Sequence, residues 1–143
     1  MQRLLYISKS RIADADKKSA VSQIVAHAQI NNARLGITGA LLFTGLYFAQ
    51  VLEGSTEAIQ TLMADIKTDT RHGKVVVVDE FPITERLFPD WQMAYQGPSK
   101  FVSRRVERLL HTTSPSERQR TADWLTELAR EFTAAGSEPI APY

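Results

Sequence analysis

The side chains of this chain best suited to chemistry are a phenol, Tyr6, a carboxamide, Gln50, a pair of amides, Asn31 and Asn32, and the neighbours Arg71 and His72. Tyr6 lies in the apolar run Leu4-Leu5-Tyr6-Ile7-Ser8, and Gln50 in Phe48-Ala49-Gln50-Val51-Leu52, where Val or Ile would pack better. A buried carboxamide without partners costs about 1–3 kcal/mol. Gln50 is therefore expected to have partners, and its amide donates at one end and accepts at the other. Turning that amide over would exchange donor for acceptor with little movement, which is what a two-state switch requires. The plain structural alternatives are an inward Tyr6 whose hydroxyl meets backbone, and asparagines that cap a helix in water. Trp91 and Met93 alternate with Gln92 and share one face. They read either as core packing or as a relay of the state of Gln50.

These polar groups would converge on a cleft rimmed by Ile24, Phe48, Ile66 and Met93. Such a cleft suits a flat heteroaromatic ring whose edge needs hydrogen bonds, with any charged part reaching toward Arg71. Hydrolytic and metal chemistry find little support. The three histidines, His27, His72 and His111, are far apart, and no HExxH pattern exists. The absence of cysteine removes disulfides, thiol nucleophiles and thiolate metal sites. Asp65, Asp69 and Asp79 read as solvated surface acids, and Gly36, Gly39 and Gly45 do not form a phosphate-binding glycine loop.

The elements that position these residues follow from periodicity. Helical spacing of Val21, Ile24, Val25 and Ala28 predicts a first helix from about Lys18 to Asn31, fraying toward Gly36. Ala28, Asn31 and Asn32 share a side of it. Ile37 to Phe43 and Leu46 to Glu53 read as a hairpin about Thr44-Gly45. Gly54-Ser55 opens a second helix with the stripe Ile59, Leu62, Met63 and Ile66. The run Val75-Val76-Val77-Val78 reads as a strand buried on both faces or central in the sheet, or as an edge strand covered by a later element. A loop to Pro89, a fifth strand Trp91 to Tyr95, a basic helix Phe101 to His111, a last helix Pro115 to Phe132 and a loose tail from Ala134 complete the chain.

The order βαββαβ is the ferredoxin-like pattern, an α+β sandwich, here with an added fifth strand and C-terminal helices. In that topology the first and third strands are central neighbours, so Tyr6 and Gln50 are expected to meet. At 143 residues and 43% hydrophobic content there is room for one substantial core. The division expected is a ligand-binding domain over residues 1–97 and a helical extension with a tail over 98–143, too short to be a second domain. That extension would cap the exposed sheet face and offer a contact surface. A formal net charge of +1 disfavours a nucleic-acid or membrane-surface partner. The start MQRLLYIS is too short for a signal peptide, and no apolar run approaches the roughly 20 residues of a membrane span. A soluble cytoplasmic protein is the expectation.

Five blocks carry a resemblance: Leu5-Tyr6-Ile7-Ser8, Asn31 to Gly39, Phe48 to Gly54, Asp69-Thr70-Arg71-His72 and Arg86 to Met93. In this order and spacing the sequence resembles the BLUF domain, a blue-light sensor module that uses flavin, and is similar to short stand-alone members with a C-terminal helical extension. The resemblance implies non-covalent FAD between the two helices, with FMN or riboflavin as substitutes. It makes Tyr6 the light-driven electron and proton donor, and Gln50 the amide that rearranges beside the ring. Asn32 would bond the ring's pyrimidine edge, with Asn31 seating it. Arg71 and His72 would line the ribityl or phosphate portion, and Trp91 and Met93 would relay the signal. Ala28 departs from members with a polar residue there. The implied function is a photoreceptor and not an enzyme, acting through light-dependent contacts with a downstream response protein and as a homo-oligomer. The alternative is a light-silent flavin-binding or scaffold module on the same fold.

Overall fold

A computed structural model describes residues 1–134. Five strands, β1 (Gln2–Ser10), β2 (Thr38–Phe43), β3 (Tyr47–Gly54), β4 (His72–Pro82) and β5 (Trp91–Gln96), form one sheet in the order β4-β1-β3-β2-β5. The helices are α1 (Lys17–Leu35), α2 (Thr56–Thr68), α3 (Lys100–His111) and α4 (Pro115–Ala134). β1 and β3 are the antiparallel neighbours that the ferredoxin-like pattern demands, and β5 adds to β2 in parallel. The tail expected from Ala134 falls, beyond that residue, outside the described residues. Among the described residues no helix is long and apolar enough to cross a membrane.

Each face of the sheet has its own core, because successive strand residues point to opposite sides. Leu4, Tyr6, Leu41, Phe48 and Leu52 pack under α1 and α2 with Ile59, Leu62 and Ile66. Leu5, Ile7, Leu42, Ala49 and Val51 pack under α3 and α4 with Val106, Leu109 and Leu125. The C-terminal helices thus cover the second face, and both strands carrying the polar pair are apolar on their two sides. The valine run of β4 takes the edge-strand alternative, covered on one face by the C-terminal helices. Val75 and Val77 face one core while Val76 and Val78 face the other, so an unbroken apolar run satisfies two half-covered surfaces.

Local chemistry sets the helix ends. α1 stops where Gly36 takes a left-handed φ of 70° and its N–H returns to the Ala33 and Asn32 carbonyls. α2 starts on Ser55, whose hydroxyl accepts from the Ala58 N–H. α1 differs from a usual core helix in burying only Val21 and Asn32, with Ile24, Val25 and Ala28 half-exposed. It lies over a cleft rather than on a filled layer.

Residues 83–90, between β4 and β5, are tied down by one buried carboxylate. Glu53, fully buried, accepts from Arg3 Nε at 2.9 Å and from the backbone N–H groups of Leu87 and Phe88 at 3.0 and 2.8 Å. Arg86 reaches back from the same segment to Thr38 Oγ1, the Glu53 carbonyl and the Gly36 carbonyl. Gly39 then receives the end of the segment: its N–H donates to the Asp90 carbonyl at 3.0 Å, and it pairs with Trp91. A Cβ on Gly39 would lie 1.9 Å from the Val51 carbonyl oxygen, and its φ is 152°, so no larger residue fits. Glu53→Ala leaves Arg3 and two backbone donors without their buried acceptor. The expected loss is about 3–5 kcal/mol, read from the urea midpoint, with Glu53→Gln intermediate because it keeps one acceptor oxygen.

Candidate functional site

The central ladder puts Tyr6 directly opposite Gln50, with Ser8 opposite Phe48 and Leu4 opposite Leu52. Leu41 is the partner of Gln50 on its other side, and Met93 the partner of Leu41. Tyr6 is 1% exposed and Gln50 6%, so the carboxamide must find its partners inside. Trp91 Nε1 donates to Gln50 Oε1 at 2.8 Å, and Gln50 Nε2 donates to Tyr6 Oη at 2.6 Å. The indole N–H can only donate. It therefore fixes the amide with oxygen toward Trp91 and nitrogen toward Tyr6, and leaves the phenol as the acceptor of that bond. Burial pushes the Tyr6 phenol well above its ordinary value of 10.0, a rise partly offset by the Gln50 hydrogen bond and added to by the charge of Asp69.

Above this chain lies a narrow cleft of about 60 Å³ between α1 and α2, lined by Tyr6, Ile24, Asn32, Gln50, Ile66 and Trp91 among others. That is well below the ~300–1,000 Å³ of typical ligand pockets. A ring system is too large for this space with the side chains of α1 and α2 as they stand. Asn32 is 1% exposed, and its Oδ1 is buried without a hydrogen-bond partner. Such an acceptor costs about 1–3 kcal/mol and calls for a donor on whatever fills the cleft.

At the far end, Asp69 takes the backbone N–H, Nε and Nη2 of Arg71, the last at 2.6 Å. This pairing holds the Asp69 carboxyl below its usual range and raises the guanidinium. Arg71 lines the cleft with its charge already shared. His72 begins β4, which carries two bulges and a left-handed Lys74 at φ 44°. Its Nδ1 lies 2.7 Å from Ser8 Oγ, and its ring packs 4.4 Å from that of Phe48. Burial lowers the imidazole from 6.5 to about 4 against the pull of Asp69.

The structure gathers most of the expected residues at one place. Tyr6, Ile24, Asn31, Asn32, Gln50, Ile66, Arg71, His72 and Trp91 all line the cleft. Asn31 sits at its edge, where its Oδ1 accepts from Arg34 Nη2. Phe48 and Met93 do not line it. Phe48 is fully buried between Phe43 and His72, and Met93 packs half-buried against the same core. Four lining residues were not assigned to the site from the sequence: His27, Ala28, Leu41 and Leu62. His27 and Leu62 were legible, since His27 stands three residues after Ile24 and four before Asn31, and Leu62 four before Ile66. Leu41 emerges only with the strand register. Among the described residues no cluster suited to a metal ion occurs.

Fold and site together define an α+β module with a narrow cleft walled by hydrogen-bonding side chains. A family model described as BLUF, sensors of blue-light using FAD, matches residues 1–94, and the chain belongs to that family. A sensor family is a signalling class, so the matched region is a sensory module and not a catalytic domain. The photoactivated adenylate cyclase subunit beta of Euglena gracilis is 33% identical over 93 residues, 65% of this chain and 11% of that protein. The chain thus spans about a tenth of the length of the curated relatives it matches. A solved structure of BlrB, a BLUF protein in its dark state, is 31% identical with a TM-score of 0.68, covering 93% of this chain and 96% of that one. BlsA in its photo-activated state is 25% identical with a TM-score of 0.70, covering 90% and 94%. BlrP1 of Klebsiella pneumoniae, described with FMN and cyclic diGMP, is 30% identical with a TM-score of 0.61, covering 93% of this chain and 34% of that one.

The low value at His72 has a defined consequence. The unfolded chain takes up a proton near pH 6.5 and the folded one only near 4, so stability is lost as pH falls through that window and no further below it. Asp69 acts in the same sense at lower pH: its folded carboxyl is held below the usual range, so its stabilising pairing is lost as pH falls from that range through the lower folded value. Denaturant unfolding across the window is expected to show the decline in the parent chain. A His72→Gln variant is expected to lose that part of it.

Proposed function

We propose that this chain is a blue-light photoreceptor that holds FAD non-covalently in the α1–α2 cleft, and that the Trp91–Gln50–Tyr6 hydrogen-bonded chain is its switch. The observation that carries this reading is a buried carboxamide fixed between a donor-only indole and a phenol, beside an unpartnered Asn32 Oδ1 facing the ligand space. Asn32 would accept from the ring's edge. Ile24 and Ile66 would hold its faces, and Asn31, Arg71 and His72 would seat the remainder. When bound, the flavin supplies absorption of blue light and, once excited, an oxidant strong enough for a phenol. The buried Tyr6 stays protonated in the ground state. Tyr6 would give up an electron and the proton on Oη to the excited ring, and the return of both would restore Tyr6 and leave only hydrogen bonds changed.

Gln50 turns that brief event into a lasting one. A reversed amide would point Nε2 at Trp91 Nε1, donor against donor, so the indole must leave or the amide must revert. Trp91 is therefore the reader of Gln50, with Met93 packed nearby as its neighbour on β5. Residues 1–97 would form the sensory domain, and the 98–143 extension would present the change to a downstream response protein and to further copies of the chain in the cytoplasm.

The purified protein, loaded with FAD, is expected to show flavin absorption that shifts modestly to the red under blue light and relaxes in darkness. Gln50→Leu is expected to keep the flavin and lose the shift; an unchanged shift and recovery in that variant would overturn the switch assignment. Asn32→Leu removes the orphaned acceptor. The ligand-free variant is expected to melt no lower than the parent, while its retention of FAD on gel filtration drops.

A further inference from the structure

A second concavity lies away from the cleft between α1 and α2. It is a groove of about 650 Å³ between α3 and α4, on the opposite face of the sheet, and its walls carry Arg104, Arg105, Arg108 and Arg120 against the single acid Glu117. Four arginines and one glutamate leave three positive charges there in a chain whose formal net charge is +1. The rest of the molecule therefore sums to −2, and the positive charge is concentrated on this groove. Among the described residues Arg104, Arg105 and Arg120 have no ion-pair partner. Arg108 meets Glu117 only at 3.5 Å with its side chain 73% exposed.

The groove is also pre-shaped. The Arg105 guanidinium rests 4.9 Å from the ring centre of Phe101 and 4.4 Å from that of Trp124, and the two rings meet edge to face at 5.4 Å. Stacking holds the guanidinium plane while its N–H edges remain free for a forked bond to a carboxylate. Phe101 stays 61% exposed, an apolar anchor next to the charges. Arginine beside an exposed aromatic is the composition enriched at protein interfaces.

We infer that the α3–α4 groove docks an acidic segment of a partner protein, with carboxylates on Arg104, Arg105, Arg108 and Arg120 and an apolar side chain on Phe101. The exposure of Arg104, Arg108 and Arg120 decides against a compact phosphate ligand, whose sites converge on buried donors. The net −2 of the remaining surface decides against a nucleic acid, because a long polyanion tracks charge well beyond the groove while a short acidic segment does not. The groove is built only from α3 and α4, so its docking can be tested without flavin or light.

The test uses the full chain and a dye-labelled synthetic peptide of Glu, Ala and Leu, followed by fluorescence anisotropy. The expected result is binding that weakens with salt and is lost when Gln replaces Glu in the peptide. R104E/R120E alters two exposed, unpaired side chains, so it should keep the parent's circular dichroism and lose affinity by roughly tenfold or more. The same double variant should instead bind a Lys, Ala and Leu peptide. Equal binding of the Glu and Gln peptides, or unchanged affinity in R104E/R120E, would overturn the proposal. So would preference for a short DNA duplex or for inorganic phosphate, or a concentration-dependent dimer that R104E/R120E abolishes, since each assigns the groove another occupant.

Discussion

A carboxamide enclosed by protein has to satisfy both of its ends, and Gln50 does so between one group that only donates and another that both donates and accepts. The site depends on this constraint. With the Trp91 indole in place, Gln50 has one orientation and Tyr6 accepts in their shared bond. The reach is short, two hydrogen bonds of 2.8 and 2.6 Å, but it joins three strands of the sheet, β1, β3 and β5. The phenol is thereby linked by hydrogen bonds to the last strand before the C-terminal helices.

Holding that arrangement still requires rigidity on one side and looseness on the other. The sheet supplies the first: both faces of β1 and β3 are packed, and the segment leading to Trp91 is pinned through Glu53, Arg86 and the closely approached Gly39. α1 supplies the second, since it buries few side chains and spans a narrow slot. A helix held by few contacts opens at modest cost, which suits it to admit a ring that the rigid sheet then positions.

Much of this was legible in the sequence. Strand and helix periods gave βαββαβ order, topology made β1 and β3 neighbours, and the awkwardness of Gln50 in an apolar run pointed to a partner. What alternation could not show was which face Tyr6 and Gln50 took, because Leu5, Ile7, Ala49 and Val51 on the other face are apolar too. Only the C-terminal helices, packed on that second face, explain the ambiguity. Glu53 escaped notice for a related reason: its partners Leu87 and Phe88 lie more than thirty residues downstream, and a glutamate before a glycine reads as a strand end in water. The valines of β4 left central and edge positions both open, because periodicity reports burial and not position in the sheet. Asp69 read as a solvated surface acid because its pairing with Arg71 depends on the turn between them.

The outer margin of the sheet has one more implication. β4 is irregular along its paired side, with two register breaks and a left-handed Lys74, and β5 runs for six residues before Gly97 and Pro98. Neither offers the long, regular row of amides that another strand needs as a template. Copies of this chain are thus steered away from extending each other's sheets, and growth into fibrils is blunted at both ends. Association is left to the helical surfaces, where contacts are side chain to side chain and can be made and broken without unravelling the fold.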